Sequence, residues 1–184
     1  MKVGLISDVH ANLESLETAI DFFEEREISK IFCCGDIVGY GPNPAEVINK
    51  IKEKNIRSVK GNHDHMATKK ESPSQFNLTA AQAIRWTRET ISSSGKKFLE
   101  NLPIFSSPFS SEIKASHGST REPLWGYVIN LADAYLEFKR DEEDTRYRLL
   151  GHSHIPALFE YDGENATLQK PEVGEGVLKV EWRL

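Results

Sequence analysis

Residues 2–36 read KVGLISDVHANLESLETAIDFFEEREISKIFCCGD. The apolar run from Lys2 to Ser7 predicts a buried strand. Asn12 then offers an N-cap to a helix whose Leu13, Leu16, Ile20 and Phe23 fall on one stripe and which ends near Glu27. Lys30 to Cys34 predicts a second apolar strand. Strand, helix and strand in that order imply parallel pairing and a right-handed crossover, which sets Asp8 and Asp36 just past the carboxyl ends of neighbouring strands. The unit then repeats. Asn43-Pro44-Ala45-Glu46 opens a helix to about Lys54, with a capping residue, proline at the first helical position and glutamate at the third. Ile56 to Lys60 predicts a third strand, and Gly61-Asn62-His63-Asp64 leaves it at the same edge, where open α/β sheets place their ligands.

Further along, Met66 to Gln75 is polar, contains Pro73 and reads as a loop. Helices are predicted from Leu78 to Ile91 and from Lys96 to Asn101. The second half differs: Glu112–Ser116, Tyr147–Leu150, Ala157–Tyr161, Ala166–Gln169 and Val177–Trp182 are short alternating or apolar runs, as in an antiparallel-rich sheet. The expected fold class is α/β, two packed sheets flanked by helices. The length of 184 residues suits one domain, residues 1–184, with a full core.

Composition narrows the partners. A net charge of -5, from 28 acids against 23 bases, with no basic tract, argues against dedicated nucleic-acid binding. The first apolar run reaches Asp8 too soon for a signal sequence or a membrane span, so a cytoplasmic protein with no membrane partner is expected. Adjacent strand residues face opposite ways, so Cys33 and Cys34 are expected as buried reduced thiols and not as a disulfide.

The chemistry lies in five short clusters: Asp8-Val9-His10, Gly35-Asp36, Gly61-Asn62-His63-Asp64, His117-Gly118 and Gly151-His152-Ser153-His154. Of the six histidines, only His65 stands outside them. Imidazole, carboxylate and amide oxygen without cysteine suit manganese, iron, nickel, cobalt or zinc in a catalytic site better than a structural thiolate zinc site. Inside a strand, Asp8 and His10, or His152 and His154, would point to opposite faces. Both pairs must therefore lie where strand becomes loop. Singly, each cluster is an ordinary turn or capping fragment; the ordered set of five is not.

With these motifs, Asp36 through Pro44, Asn77 through Trp86-Thr87-Arg88, and His117-Gly118-Ser119 followed by Pro123-Leu124-Trp125, the chain resembles the calcineurin-like metallophosphoesterases, in their compact bacterial and archaeal phosphodiesterase branch. The likeness covers roughly residues 2 to 158. It implies a four-layer α/β/β/α sandwich of two mixed sheets flanked by helices. It further implies two divalent metal ions per chain, manganese foremost, with nickel, iron, cobalt, zinc or magnesium as alternatives. One ion would take Asp8, His10, Asp36 and His154, and the other Asp36, Asn62, His117 and His152, with Asp36 bridging.

By the same resemblance a hydroxide bridging the ions attacks a small-molecule phosphate ester. His63, held by Asp64, faces the substrate as proton or hydrogen-bond donor, and Asn62 serves as a substrate-binding group; Arg121, four positions after His117, is a further candidate substrate-binding residue by its position. Asp64 has an alternative role as a cap of the following turn. The loop from His65 to Gln75 and the stretch Ser119 to Trp125 are expected to rim the site. Relatives that cleave phosphoprotein monoesters carry an arginine soon after the Gly-Asp motif. Here Ile37-Val38-Gly39-Tyr40-Gly41 holds no base, which points to diesters over monoesters, with Arg121 as the one residue able to reverse that preference.

A phosphomonoesterase or nucleotide phosphatase is the near alternative. A non-catalytic protein-binding scaffold of the same fold is the alternative of another class, although such scaffolds have substitutions among residues that are all present here. A monomer or small homo-oligomer is expected. The sequence departs from larger relatives at Pro171-Glu172-Val173-Gly174, where they carry an Asn-Pro-Gly-Ser-type turn, and at His65, expected as an exposed loop residue.

Overall fold

A computed structural model describes residues 2–139 and 145–169; the strand expected at Val177–Trp182 and the turn at Pro171–Gly174 lie outside the described residues. In chain order the elements are β1 (Gly4–Ile6), α1 (Leu13–Glu25), β2 (Ile31–Cys33), α2 (Pro44–Glu53), β3 (Arg57–Ser58), α3 (Asn62–Thr68), α4 (Leu78–Thr90), α5 (Ser93–Glu100), β4 (Ile113–Ala115), α6 (Leu131–Phe138), β5 (Tyr147–Leu149), β6 (Leu158–Tyr161) and β7 (Ala166–Gln169).

The first three strands form one parallel sheet in the order β1-β2-β3, as the β-α-β reading requires. Asn12 caps α1 by accepting the Ser15 N–H at 3.0 Å, and Pro44 begins α2. Asn43 sits at the N-cap of α2, but its side chain makes no capping bond. β1 is an edge strand among the described residues, and Leu5 is exposed, contrary to the buried strand expected there.

Alternation along β2 divides the core. Cys33 packs with Leu16 and Ile20 of α1, Val47, Ile48 and Ile51 of α2 and Leu99 of α5. Phe32 and Cys34 face the other way, onto Val59, Ala115 of β4 and Leu149 of β5. The two cysteines thus enter different core clusters, and both are free thiols. Burial pushes the Cys33 thiol up to about 12 and raises Cys34 as well. Phe32 is fully buried in this second cluster, so Phe32→Ala is expected to cost about 3–5 kcal/mol, read as a lowered denaturant midpoint with an unchanged slope.

The second half departs from the antiparallel-rich expectation. β4 and β5 pair in parallel, Ile113 opposite Tyr147 and Ala115 opposite Leu149. On its other side β4 forms an antiparallel bridge, Ser106 to Ala115, and β6 with β7 is an antiparallel hairpin. Parallel neighbours need a long crossover, and here it carries α6, a helix not expected from the sequence. Asn130 caps α6 through the N–H groups of Ala132 and Asp133. The expected loop from Met66 is also shorter, because α3 continues to Thr68 and includes the half-buried His65.

Candidate metal centre

Both parallel sheets extend their pairing past the strand ends. Asp8 N–H donates to Gly35 O at 3.0 Å and His10 N–H to Asp36 O at 2.9 Å, tying the loop after β1 to the loop after β2. Ser116 N–H donates to Leu149 O at 3.1 Å and Gly151 N–H to His117 O at 2.8 Å, doing the same for β4 and β5. The side chains converge because the backbone turns left-handed at Asp8, His10, Asp36, His152 and His154, with φ between 49° and 67°. Non-glycine residues seldom adopt that region, and a cluster of them marks a functional constraint. This is how both i, i+2 pairs escape the alternation of a strand.

Three groups of donors result, each with ligand atoms within 4.8 Å of one another: Asp8, His10 and His154; His10, Asp36 and His63; and Asp36, His117 and His152. His10 Nε2 stands 3.1 Å from His154 Nε2 and 3.7 Å from Asp36 Oδ2, and His154 Nε2 lies 3.3 Å from Asp8 Oδ1. His117 Nε2 is 3.3 Å from Asp36 Oδ2 and 3.0 Å from Asn62 Oδ1. All seven expected ligands therefore meet in one place.

Outer partners fix their orientation. His117 Nδ1 donates to Cys34 O at 2.8 Å and His10 Nδ1 to Val38 O at 3.2 Å, which aims each Nε2 into the cluster, the usual arrangement of a ligating histidine. His152 Nε2 donates to the Trp125 carbonyl at 3.1 Å, and its main-chain N–H donates to both Asp8 oxygens, at 3.1 and 3.2 Å. Gly61 lets the chain pass close to Asp36, since a Cβ there would overlap Asp36 Oδ1.

The electrostatics are dominated by the cluster itself. Burial would raise Asp36, but His117 above all, then His63 and His10, hold it well below the usual carboxylate range. Burial would lower His117, yet Asp36 carries it up to about 9. Burial lowers His10 and His152, and it lowers His63 to about 4. Asp64 is pushed up to about 7 by burial and then by Asp36. Buried carboxylate and imidazole in mutual contact, with inward-facing nitrogens, form the donor set of a divalent transition metal, and the residues present fit such an ion.

Asp64 does not hold the His63 ring. Its oxygens accept the N–H of Val38 at 3.1 Å and of Gly61 at 3.0 Å, so it caps α3 and pins the loop after β2. His63 Nδ1 is buried and finds no hydrogen-bond partner among the described residues, with Gly39 packed against it. His63 is tied to the cluster through its backbone, whose N–H donates to Asp36 Oδ1 at 2.9 Å.

Arg121 is exposed on the loop Gly118–Gly126, which is closed by Ser119 N–H to Gly126 O at 2.9 Å. Among the described residues, no contact joins Arg121 to the cluster. The same loop is fastened to α6 by the buried Glu137, which accepts the Thr120 N–H at 3.0 Å. Sequence reading missed Phe76, whose ring meets His63, and Tyr127, stacked on His152; aromatic residues in loops beside ligand motifs were the available signal.

The model of the calcineurin-like phosphoesterase superfamily domain matches residues 1–169. An uncharacterized protein of Methanocaldococcus jannaschii, MJ0912, is 38% identical over 167 residues, covering 88% of this chain and 65% of its own length; the chain thus spans about two thirds of that relative. A metallophosphoesterase from Sphaerobacter thermophilus superposes with a TM-score of 0.76 at 33% identity, over 94% of this chain and 69% of the other. The hypothetical protein PH1004 from Pyrococcus horikoshii shares the fold, with a TM-score of 0.70 at 20% identity, over 92% of this chain and 87% of the other. Among the described residues, no helix is long and apolar enough to cross a membrane.

Proposed function

Because this chain belongs to the calcineurin-like phosphoesterase superfamily, we propose that it is a dinuclear metal-dependent phosphodiesterase, built as a single four-layer sandwich. The observation that carries the reading is the shared membership of Asp36 and His10 in overlapping donor groups, the pattern a bridged pair of ions needs. Asp8, His10, Asp36 and His154 would hold one ion and Asp36, Asn62, His117 and His152 the other. Bound divalent cations, manganese foremost, supply Lewis acidity, an activated water and charge for the transition state. Phe32 and Cys34 packed on Ala115 and Leu149 between the sheets support the two inner layers of the sandwich.

The protein's own groups do the rest. Asp36 would hold both ions and offset their charge, and the outer carbonyls of Cys34, Val38 and Trp125 keep His117, His10 and His152 oriented as ligands. His63, buried beside Asp36 and His10, is placed to stabilise charge on a phosphoryl oxygen. Diesters are favoured because Ile37 and Val38, directly after Asp36, are fully buried apolar residues, where a monoester dianion would need a fixed guanidinium. With manganese, the unaltered protein is expected to cleave bis-nitrophenyl phosphate faster than mono-nitrophenyl phosphate. Faster monoester cleavage, abolished by Arg121→Ala, would reverse the preference and give Arg121 the phosphate-binding role. No cleavage of either ester at full metal content would point to the scaffold reading.

A further inference from the structure

Four aromatic side chains rim the metal centre, and two of them stand in the open. Tyr40, 45% exposed, lies edge-on to His10 with ring centroids 4.8 Å apart and tilts against His63 at 4.7 Å. At the His152 end of the cluster Tyr127, 57% exposed, stacks on that imidazole at 4.1 Å with the planes 24° apart. Phe76 meets His63 edge-on at 4.8 Å, and Trp125 meets Phe76 at 5.1 Å.

These rings are not core residues. None of the four is fully buried, and neither hydrophobic cluster contains them. Tyr127 spends one face on His152 and leaves more than half its surface to solvent, so packing alone does not account for its position. Tyr40 keeps a φ of 54°, a conformation that bulky side chains rarely adopt and that glycine would take without strain. Backbone strain of this kind gathers where a side chain must be presented to a ligand. An open aromatic face beside a phosphate-binding centre suits a planar ring carried on the phosphate: stacking requires only a π-face, and alanine substitution of a stacking residue typically weakens binding by roughly 5- to 150-fold.

We propose that Tyr40 and Tyr127 are specificity-determining residues that grip a flat ring attached to the phosphate ester, selecting esters with an aromatic or nucleobase-like arm over alkyl ones. This rests on the phosphoesterase reading above.

The test uses two phosphinates that mimic the single charge of a diester and carry both organic groups through P–C bonds, with no P–O–C ester bond to hydrolyse: methyl(phenyl)phosphinate and dimethylphosphinate, which differ by the ring. Calorimetric titration of the manganese-loaded protein is expected to show the phenyl compound binding at least about fivefold tighter. Tyr40→Ala and Tyr127→Ala should each shrink that gap while metal content and dimethylphosphinate affinity stay within about twofold, and Tyr127→Phe should retain it. Equal affinity of the two phosphinates, or a gap preserved in both alanine variants, overturns the proposal. Loss of metal in Tyr127→Ala would assign that residue to positioning His152 and would also count against it. If dimethylphosphinate binds and bis-nitrophenyl phosphate is cleaved without a ring preference, only the aromatic grip fails. If neither phosphinate binds and no ester is cleaved, the phosphoesterase reading fails with it.

Discussion

Asp36→Asn is expected to leave the protein folded but to strip it of both metal ions together and to lower activity by more than about 100-fold, the upper figure for losing a mere outer partner of a ligand. Asp36 is 1% exposed, and its two oxygens have divided duties. Oδ1 accepts the His63 N–H at 2.9 Å, while Oδ2 faces His117 Nε2 at 3.3 Å and His10 Nε2 at 3.7 Å. An asparagine must keep its carbonyl toward the His63 N–H, so its amide nitrogen, a donor with no lone pair to give, would replace Oδ2 at the point where cations belong. The negative charge that would offset two dications in the proposed centre is lost in the same change. Elemental analysis after dialysis, alongside a circular dichroism spectrum, measures it. One ion lost and one kept would remove the bridging role; full metal content with full activity would remove Asp36 from the site altogether.

The parallel sheet was legible from residues 2–60 because each β-α repeat carried its own punctuation: a polar cap at Asn12, proline at Pro44, and apolar runs too short for helices. The β4–β5 pair was not. Alternation reports which faces of a strand are buried and says nothing of strand direction; direction depends on what joins the strands, here a crossover carrying α6. Its capping residue, Asn130, with Asp133 three positions on, is the sequence signal of a helix start, and recognising it would have made a parallel pair the better expectation. Helix α3 escaped notice for a different reason. Gly61 at its N-cap and a run of Asn62, His63, Asp64 and His65 have poor helix propensity, and the turn is secured by Asp64 accepting the Gly61 N–H.

The donors of the candidate metal centre were legible because imidazole and carboxylate side chains next to glycines at strand ends have few other reasons to recur in order. What could not be read was the partner of each donor. Asp64 beside His63 in sequence suggests a pair, yet in a helix consecutive side chains diverge by about 100°, and the carboxylate turns back to two main-chain N–H groups. Nor could spacing reveal that Trp125 would supply a carbonyl to His152, or that Tyr127 would stack on it; those contacts depend on how the loop Gly118–Gly126 folds onto Glu137.

His63→Ala is expected to keep both metal ions and the fold while losing roughly two to four orders of magnitude in turnover, the range for a charge-stabilising donor or a general acid. The geometry separates those two roles. An orienting carboxylate would favour a protonated, proton-donating His63, and Asp64, its neighbour in sequence, is committed instead to Gly61 and Val38. His63 Nδ1 instead faces the backbone at Gly39 without a hydrogen-bond partner among the described residues. Hydrogen bonding to a phosphoryl oxygen therefore fits His63 better than proton delivery to a leaving alkoxide. The loss in His63→Ala should accordingly be similar for a nitrophenyl ester, whose leaving group needs no proton, and for an alkyl ester, whose leaving group does. Turnover of both esters, measured with metal content checked in each preparation, decides the matter. A loss at least tenfold larger for the alkyl ester would restore the general acid, and disappearance of an ion would make His63 a ligand, as its place in the group with His10 and Asp36 would then require.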